Sequence, residues 1–182
     1  MTMGPEGLLF VFNSDIVCDY PLGELIQRHK EHGKEGTIVL ATVEDPSRFG
    51  VIITNQEGRV ESFVEKPKHF ISNKINAGIY LLSNRVIKRI PQRFCMIEKE
   101  VFPQMASEGE LYSIELRKEN FWHDIGQPKD YLLGQESYLN YYKLQGEGPQ
   151  FEGGVLIDKT AEVHKGAKIG PNVVIGAGCI IE

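Results

Sequence analysis

Leu8-Leu9-Phe10-Val11-Phe12-Asn13-Ser14-Asp15 is the stretch on which the fold turns. Its five apolar residues are too few for a core helix and lack the alternation of a half-solvated strand. They read as a strand buried on both faces, as in a mostly parallel sheet. The run stops abruptly at polar residues, and Asp15 then places a carboxylate at the carboxyl end of a strand, the edge where layered α/β sheets hold ligands. After it the period changes. Leu22, Leu25, Ile26 and His29 share one helical face, with Asp19 as a candidate cap, Pro21 suited to the first turn and Gly33 to the stop.

The alternation continues. Residues 37–43 predict a buried strand, and residues 51–54 and 60–64, joined by Asn55-Gln56-Glu57-Gly58, predict a hairpin. Residues 75–82 predict a strand, 85–90 a helix, 97–106 a helix kinked at Pro103, and 111–116 a strand. A long helix is expected over residues 128–144, its face marked by Tyr131, Leu132, Tyr138, Leu139 and Tyr142 and interrupted by Gln135. Strand–helix–strand order predicts an α/β layered fold with right-handed crossovers. The domain organisation read from this pattern is residues 1–145 as the α/β domain, the glycine-rich 146–154 as a linker, and 155–182 as a separate repeat.

That repeat is regular. Ile157, Val163, Ile169, Ile175 and Ile181 recur every six residues, with Ala161, Ala167, Val173 and Cys179 four residues after the first four. This is a hexapeptide pattern, whose aliphatic positions stack inside a left-handed β-helix, and it stops in mid-repeat at Glu182.

Composition narrows the function. A net charge of -5 over 182 residues, with scattered basic residues, argues against nucleic acid as a partner. No apolar run reaches the length of a membrane span, and the N-terminus lacks a signal peptide's basic region. Cys18, Cys95 and Cys179 have no metal-ligand spacing and read as reduced thiols of a cytoplasmic protein.

Three places carry candidate chemistry. Asp15 after its strand and Asp124 in Trp122-His123-Asp124-Ile125-Gly126 are hard oxygen ligands of the kind Mg²⁺ shares with phosphates, although each also suits a turn or a helix start. Lys66 follows a strand and precedes Pro67, which is expected to hold it in an extended exit where its ammonium can neutralise a phosphate. The plain alternative is a solvated Glu65–Lys66 pair. His123 has no partner at ligand spacing and is expected to pack or face outward.

Taken in order, Asn13-Ser14-Asp15, Phe49-Gly50-Val51, Val64-Glu65-Lys66-Pro67, Ile75-Asn76-Ala77-Gly78-Ile79-Tyr80 and Trp122-x-Asp124-Ile125-Gly126-x-Pro128 resemble the sugar-1-phosphate nucleotidyltransferases. Lys74-Ile75-Asn76-Ala77-Gly78 and Ile97-Glu98-Lys99-Glu100-Val101-Phe102-Pro103 are similar to the mannose-1-phosphate guanylyltransferases in particular, and the intact Trp122 segment to their catalytic rather than regulatory type. The resemblance implies a Rossmann-like nucleotidyltransferase domain that forms GDP-mannose and pyrophosphate from GTP and mannose-1-phosphate. It implies Asp15 and Asp124 as Mg²⁺ ligands, Lys66 as the catalytic lysine, Gly50, Glu65 and Asn76 as sugar contacts, and Ser14 as a nucleotide-sugar contact. It further implies a homo-oligomer, or a hetero-oligomer with a regulatory paralogue through the β-helix.

Two departures stand out. Cys95-Met96 replace the Ser or Thr cap that usually precedes Glu98-Lys99, and no segment resembles the family's Gly-Gly-x-Gly-Thr-Arg phosphate loop. The chain therefore resembles an N-terminally truncated form, expected by itself to be a poor guanylyltransferase. A regulatory or assembly fragment and a different sugar specificity are the alternatives.

Overall fold

The computed structural model describes residues 7–145 and 154–182 and divides into two units, Met1–Asn120 and Phe121–Glu182. The linker reading at 146–153 and the Tyr142 side chain lie outside the described residues.

The first unit runs β1 (Leu8–Phe12), β2 (Ile16–Cys18), α1 (Leu22–His32), β3 (Gly36–Thr42), β4 (Gly50–Thr54), β5 (Val60–Glu65) and β6 (Lys74–Ser83). A 3₁₀ turn (Asn84–Arg89), α2 (Ile97–Glu100), α3 (Phe102–Ser107) and β7 (Leu111–Glu115) complete it. The sheet order is β5-β4-β6-β3-β7, with β1 also on β6. Among the described residues of this sheet only β3 and β7 pair in parallel; the β1–β6, β3–β6, β4–β5 and β4–β6 pairs are antiparallel. The sheet is thus mixed, and the expectation of a mostly parallel one is corrected. The apolar runs arise because β3 and β6 are covered on both faces, which fixes burial but not direction.

β1 differs from its reading too. Leu8, Phe10 and Phe12 are exposed while Leu9 and Val11 are half-buried, so one face is open. The run looked continuous because the open face is itself apolar. Phe10 and Phe12 stack there at 5.9 Å, and Tyr20 meets Phe12 edge-on.

Helix α1 stops as expected at Gly33, whose φ of 62° few other residues adopt easily. Its start has no side-chain cap. Asp19 instead accepts a hydrogen bond from Asn120 Nδ2 at 2.7 Å. The single helix expected over 97–106 is two short ones, with Val101 between them and Pro103 in the first turn of the second, where its missing N–H costs nothing. Met96 stands at the α2 cap position without a capping bond, in line with the sequence. Phe102 anchors the core below β5 and β6, its ring 4.9 Å from Tyr80 and 5.7 Å from Phe63.

A polar chain fastens α1 to the sheet. His29 Nδ1 and His32 Nε2 each lie 2.8 Å from Thr37 Oγ1, and the His32 ring stacks on Tyr112 at 4.4 Å. Burial, then the neighbouring His29, Arg28 and Lys34, push the His32 pKa down to about 4. A lowered histidine pKa means that the fold prefers the neutral ring. This contribution is complete above the ordinary value of 6.5 and is lost as pH falls from there toward 4. Discounted for the water that still reaches the ring, it amounts to on the order of 2 kcal/mol. Urea unfolding at pH 7 and pH 4.5 checks it, since His32→Asn is expected to shrink the acid loss of stability. An unchanged pH dependence would contradict the assignment.

In the second unit, β8 (Trp122–Asp124) precedes α4 (Pro128–Gln145). The apolar face expected on α4 is mostly open: Tyr131, Leu132 and Tyr138 are exposed and Leu139 is buried. Gln135, the polar interruption, donates from Nε2 to the Asn172 carbonyl at 2.8 Å, so it ties the helix to the repeat.

The repeat forms β9 (Leu156–Ile157), β10 (Glu162–Val163), β11 (Val174–Ile175) and β12 (Ile180–Ile181). Leu156 pairs in parallel with Val174 and Glu162 with Ile180, so each partner lies three hexapeptides further on. Among the repeat positions Ile175 is buried while Ile157 is still 38% exposed.

Candidate functional site

β6 organises the site. β3 occupies one edge of it from Lys74 to Leu82. β1 and β4 must therefore share the other edge, β1 from Ile79 to Ser83 and β4 at Ile75. Along that edge the β1 pairing ends at Ile79 and the β4 pairing lies at Ile75, which leaves a gap between the two strand ends.

Residues from four strands frame the gap. On one side Asn13 leaves β1 and donates its N–H to the Gly78 carbonyl at 2.8 Å. Gly78 has a φ of 73°, and a Cβ there would lie 2.7 Å from Asn13 Nδ2. Ser14 and Asp15 follow in an exposed turn. On the other side β4 begins at Gly50, paired across the hairpin with Glu65. A Cβ at Gly50 would meet Glu65 Oε2 at 2.8 Å, so the bare glycine leaves room for that carboxylate.

Lys66 extends the hairpin by one bond, its N–H donating to the Phe49 carbonyl at 3.1 Å. Its side chain is 64% exposed and its Nζ lies 3.9 Å from Glu65 Oε1. The extended exit expected from Pro67 is not found: Lys66 has a φ of 46°, in the left-handed region. Completing the ladder to Phe49 while turning the chain away holds it there, and such a residue costs roughly 1–3 kcal/mol.

Asn76 lies at the floor. Its Oδ1 accepts from the Gly78 N–H at 3.1 Å, and its Nδ2 donates to the Tyr80 hydroxyl at 2.8 Å. These two bonds fix which end of the amide faces which way. Tyr80 is fully buried, and burial first, then the negative charges of Glu98 and Glu65, keep its hydroxyl protonated well above the ordinary range. Tyr80 can in turn donate to Glu98 Oε1, 3.5 Å away.

Gly50, Glu65, Lys66 and Asn76 are thus brought to one end of the first unit beside Asn13, Ser14 and Asp15. Asp124 belongs to the second unit, where its Oδ1 accepts from the Gly126 N–H at 3.0 Å. The neighbouring His123 packs against α4, its Nε2 2.8 Å from Ser137 Oγ.

Sequence reasoning missed Asn13, Tyr80 and Glu98 as parts of the site. Their signals were a polar residue abutting an obligatory glycine, a hydroxyl inside an apolar run, and a carboxylate next to an uncapped helix start.

Residues 2–140 match the Nucleotidyl transferase family, and the chain belongs to that family. It is 50% identical over 179 residues to the probable mannose-1-phosphate guanylyltransferase 2 of Arabidopsis thaliana, covering 95% of this chain and 49% of that protein. It is 49% identical to the mannose-1-phosphate guanylyltransferase catalytic subunit beta of Drosophila pseudoobscura pseudoobscura, with 93% and 46% covered. The chain therefore spans about half the length of the curated relatives it matches. Among solved structures, a putative glucose-1-phosphate thymidylyltransferase from Bacillus anthracis superposes with a TM-score of 0.60 at 22% identity, over 74% of this chain and 55% of that one. HddC from Yersinia pseudotuberculosis gives 0.59 at 26%, over 72% and 55%. Among the described residues no helix is long and apolar enough to cross a membrane.

Proposed function

We propose that this chain carries the sugar-phosphate side of a mannose-1-phosphate guanylyltransferase, which joins GTP and mannose-1-phosphate into GDP-mannose and releases pyrophosphate. The observation that carries the reading is the gap on β6, where Asn76, Glu65, Gly50 and Lys66 converge beside the Asn13–Asp15 turn. A hexose needs fixed donors and acceptors, and Asn76 and Glu65 supply them. Lys66 offsets charge on the phosphate, and the strained backbone holds it at the rim. No protein nucleophile is required, because phosphoryl transfer rests on positioning and neutralisation.

Asp15 and Asp124 each offer oxygen ligands of the kind a hard cation takes. Asp15 has no hydrogen-bond partner among the described residues, and the Asp124 carboxylate has one oxygen engaged. Two carboxylates are what Mg²⁺ takes when substrate phosphates complete its shell. A cation held by these carboxylates would supply positive charge that offsets the charge of the substrate phosphates. Ser14 contacts the nucleotide-sugar.

In this reading residues 1–145 are the transferase domain, 146–154 the linker and 155–182 the first coil of a left-handed β-helix. The three-hexapeptide offset of its strand pairs supports the coil. Through it the protein assembles with itself or with a regulatory paralogue, in the cytoplasm.

Calorimetric titration of the 182-residue chain with mannose-1-phosphate, glucose-1-phosphate and free mannose tests the sugar side. Saturable binding is expected for the two sugar phosphates, tighter for the mannose compound. The absence of saturation with either phosphate would overturn the reading, and tighter glucose-1-phosphate binding would overturn its hexose.

A further inference from the structure

We propose that a second cavity, at the opposite end of the β1–β6 pair from the gap, binds a phosphoryl anion, either free or carried on a small metabolite. The cavity holds about 560 Å³ and lies where Leu8 pairs with Ser83, between the last turn of α1 and the 3₁₀ turn after β6. Its volume falls within the range of small-ligand sites.

Its lining is cationic. Lys30, Lys34 and Arg85 border it, and no carboxylate does among the described residues. Lys34 is partly compensated by Glu110 at 3.0 Å. Among the described residues Arg85 bonds only uncharged oxygens, Ser83 Oγ and the Gly33 carbonyl, both at 3.4 Å. Lys30 makes no ion pair among the described residues. Two positive charges therefore face the same space without a counterion among the described residues.

A buried donor adds to them, and its proton can be traced. The Lys34 backbone N–H can only donate, so His32 Nδ1, which receives it at 2.9 Å, carries no proton. The proton of His32 sits on Nε2 and goes to Thr37 Oγ1. Thr37 must then give its single hydroxyl proton to His29 Nδ1. That leaves the His29 proton on Nε2. Burial keeps both rings neutral, which the chain of bonds requires. His29 is 5% exposed, and its Nε2–H has no partner among the described residues. Among the described residues no fully buried side-chain nitrogen lacks a partner, so this N–H keeps some exposure, and its ring lines the cavity. A nearly buried donor beside two uncompensated cations suits an anion with several acceptor oxygens. The negative end of the α1 dipole opposes it, but the Gly33 carbonyl is already occupied by Arg85.

The test is titration of the 182-residue chain with inorganic phosphate, inorganic diphosphate and ribose 5-phosphate at constant ionic strength, followed by calorimetry and by the ¹⁵N resonances of the histidine rings. The three ligands separate a free anion from a phosphorylated metabolite. At least one is expected to bind saturably and to shift His29 Nε2. The double variant Lys30→Ala/Arg85→Ala, altered at exposed positions and checked for folding by circular dichroism, is expected to bind roughly tenfold more weakly or worse. Lys165→Ala, in the repeat, is expected to bind normally. Absence of saturation by all three ligands at about 10 mM would overturn the proposal. So would equal binding by the double variant, or a response that leaves His29 unmoved.

Discussion

In a longer form that carries the phosphate loop, Lys66→Ala is expected to lower kcat of the proposed guanylyltransferase reaction by roughly two to three orders of magnitude while leaving the affinity for mannose-1-phosphate nearly unchanged. The Lys66 ammonium is mostly solvated and lies 3.9 Å from Glu65, its one ion-pair partner among the described residues, so the resting protein gains little from that pair. In the proposed reaction its benefit falls in the transition state, where negative charge spreads over the phosphate being transferred. Loss of one positioned electrostatic donor costs about 3–4 kcal/mol there and appears in kcat rather than in KM. The backbone allows a sharper check. Lys66 has a φ of 46°, which glycine adopts without penalty. Lys66→Gly should therefore lose the same activity yet raise stability by about 1 kcal/mol, a gain Lys66→Ala cannot make. Steady-state kinetics and thermal unfolding of both variants decide it. A rise in KM alone would make Lys66 a ground-state contact, and equal stabilities would remove the strain argument.

How legible was this in the sequence? The element boundaries came through well wherever a strong periodicity or a special residue marked them. The hairpin of β4 and β5 and the stop of α1 at Gly33 are examples. Strand direction did not come through. β6 is buried at almost every position because both its faces are covered, and nothing in Ile75-Asn76-Ala77-Gly78-Ile79-Tyr80 says that it runs against β1, β3 and β4. That reversal creates the gap, since it sets two strands end to end along one edge of a third. The motifs thus marked the residues of the proposed site, while the geometry that joins them depends on long-range pairing. Lys66 shows the same limit at one residue. Pro67 argued for an extended backbone, and a single bond to Phe49 overrode it.

The Gly78 position carries the largest expected loss of stability. Gly78→Val is expected to destabilise the protein by roughly 3–5 kcal/mol, from two separate causes. The first is local: a φ of 73° puts Cβ against the following carbonyl, at roughly 1–2 kcal/mol for any L-residue and more for a β-branched one. The second is packing. The new Cβ would fall 2.7 to 3.0 Å from Asn13 Nδ2, Cγ and Cβ. The far end of a long side chain could swing clear, but Asn13 Cβ is fixed by the backbone, and its N–H is bonded to the Gly78 carbonyl at 2.8 Å. Relief requires β1 to separate from β6 at Ile79, which moves the Ser14–Asp15 turn away from Asn76. The variant should therefore lose sugar-phosphate binding along with stability. The two causes are separable with a second substitution. Asn13→Gly removes the steric partner but not the backbone strain, so the double variant should recover the packing share, about 1–3 kcal/mol, and no more. Urea unfolding of the two single variants and the double one gives the coupling directly. Strict additivity of the two substitutions would show that Asn13 and Gly78 do not bear on each other, and the contact that closes the β1 side of the site would lose its support.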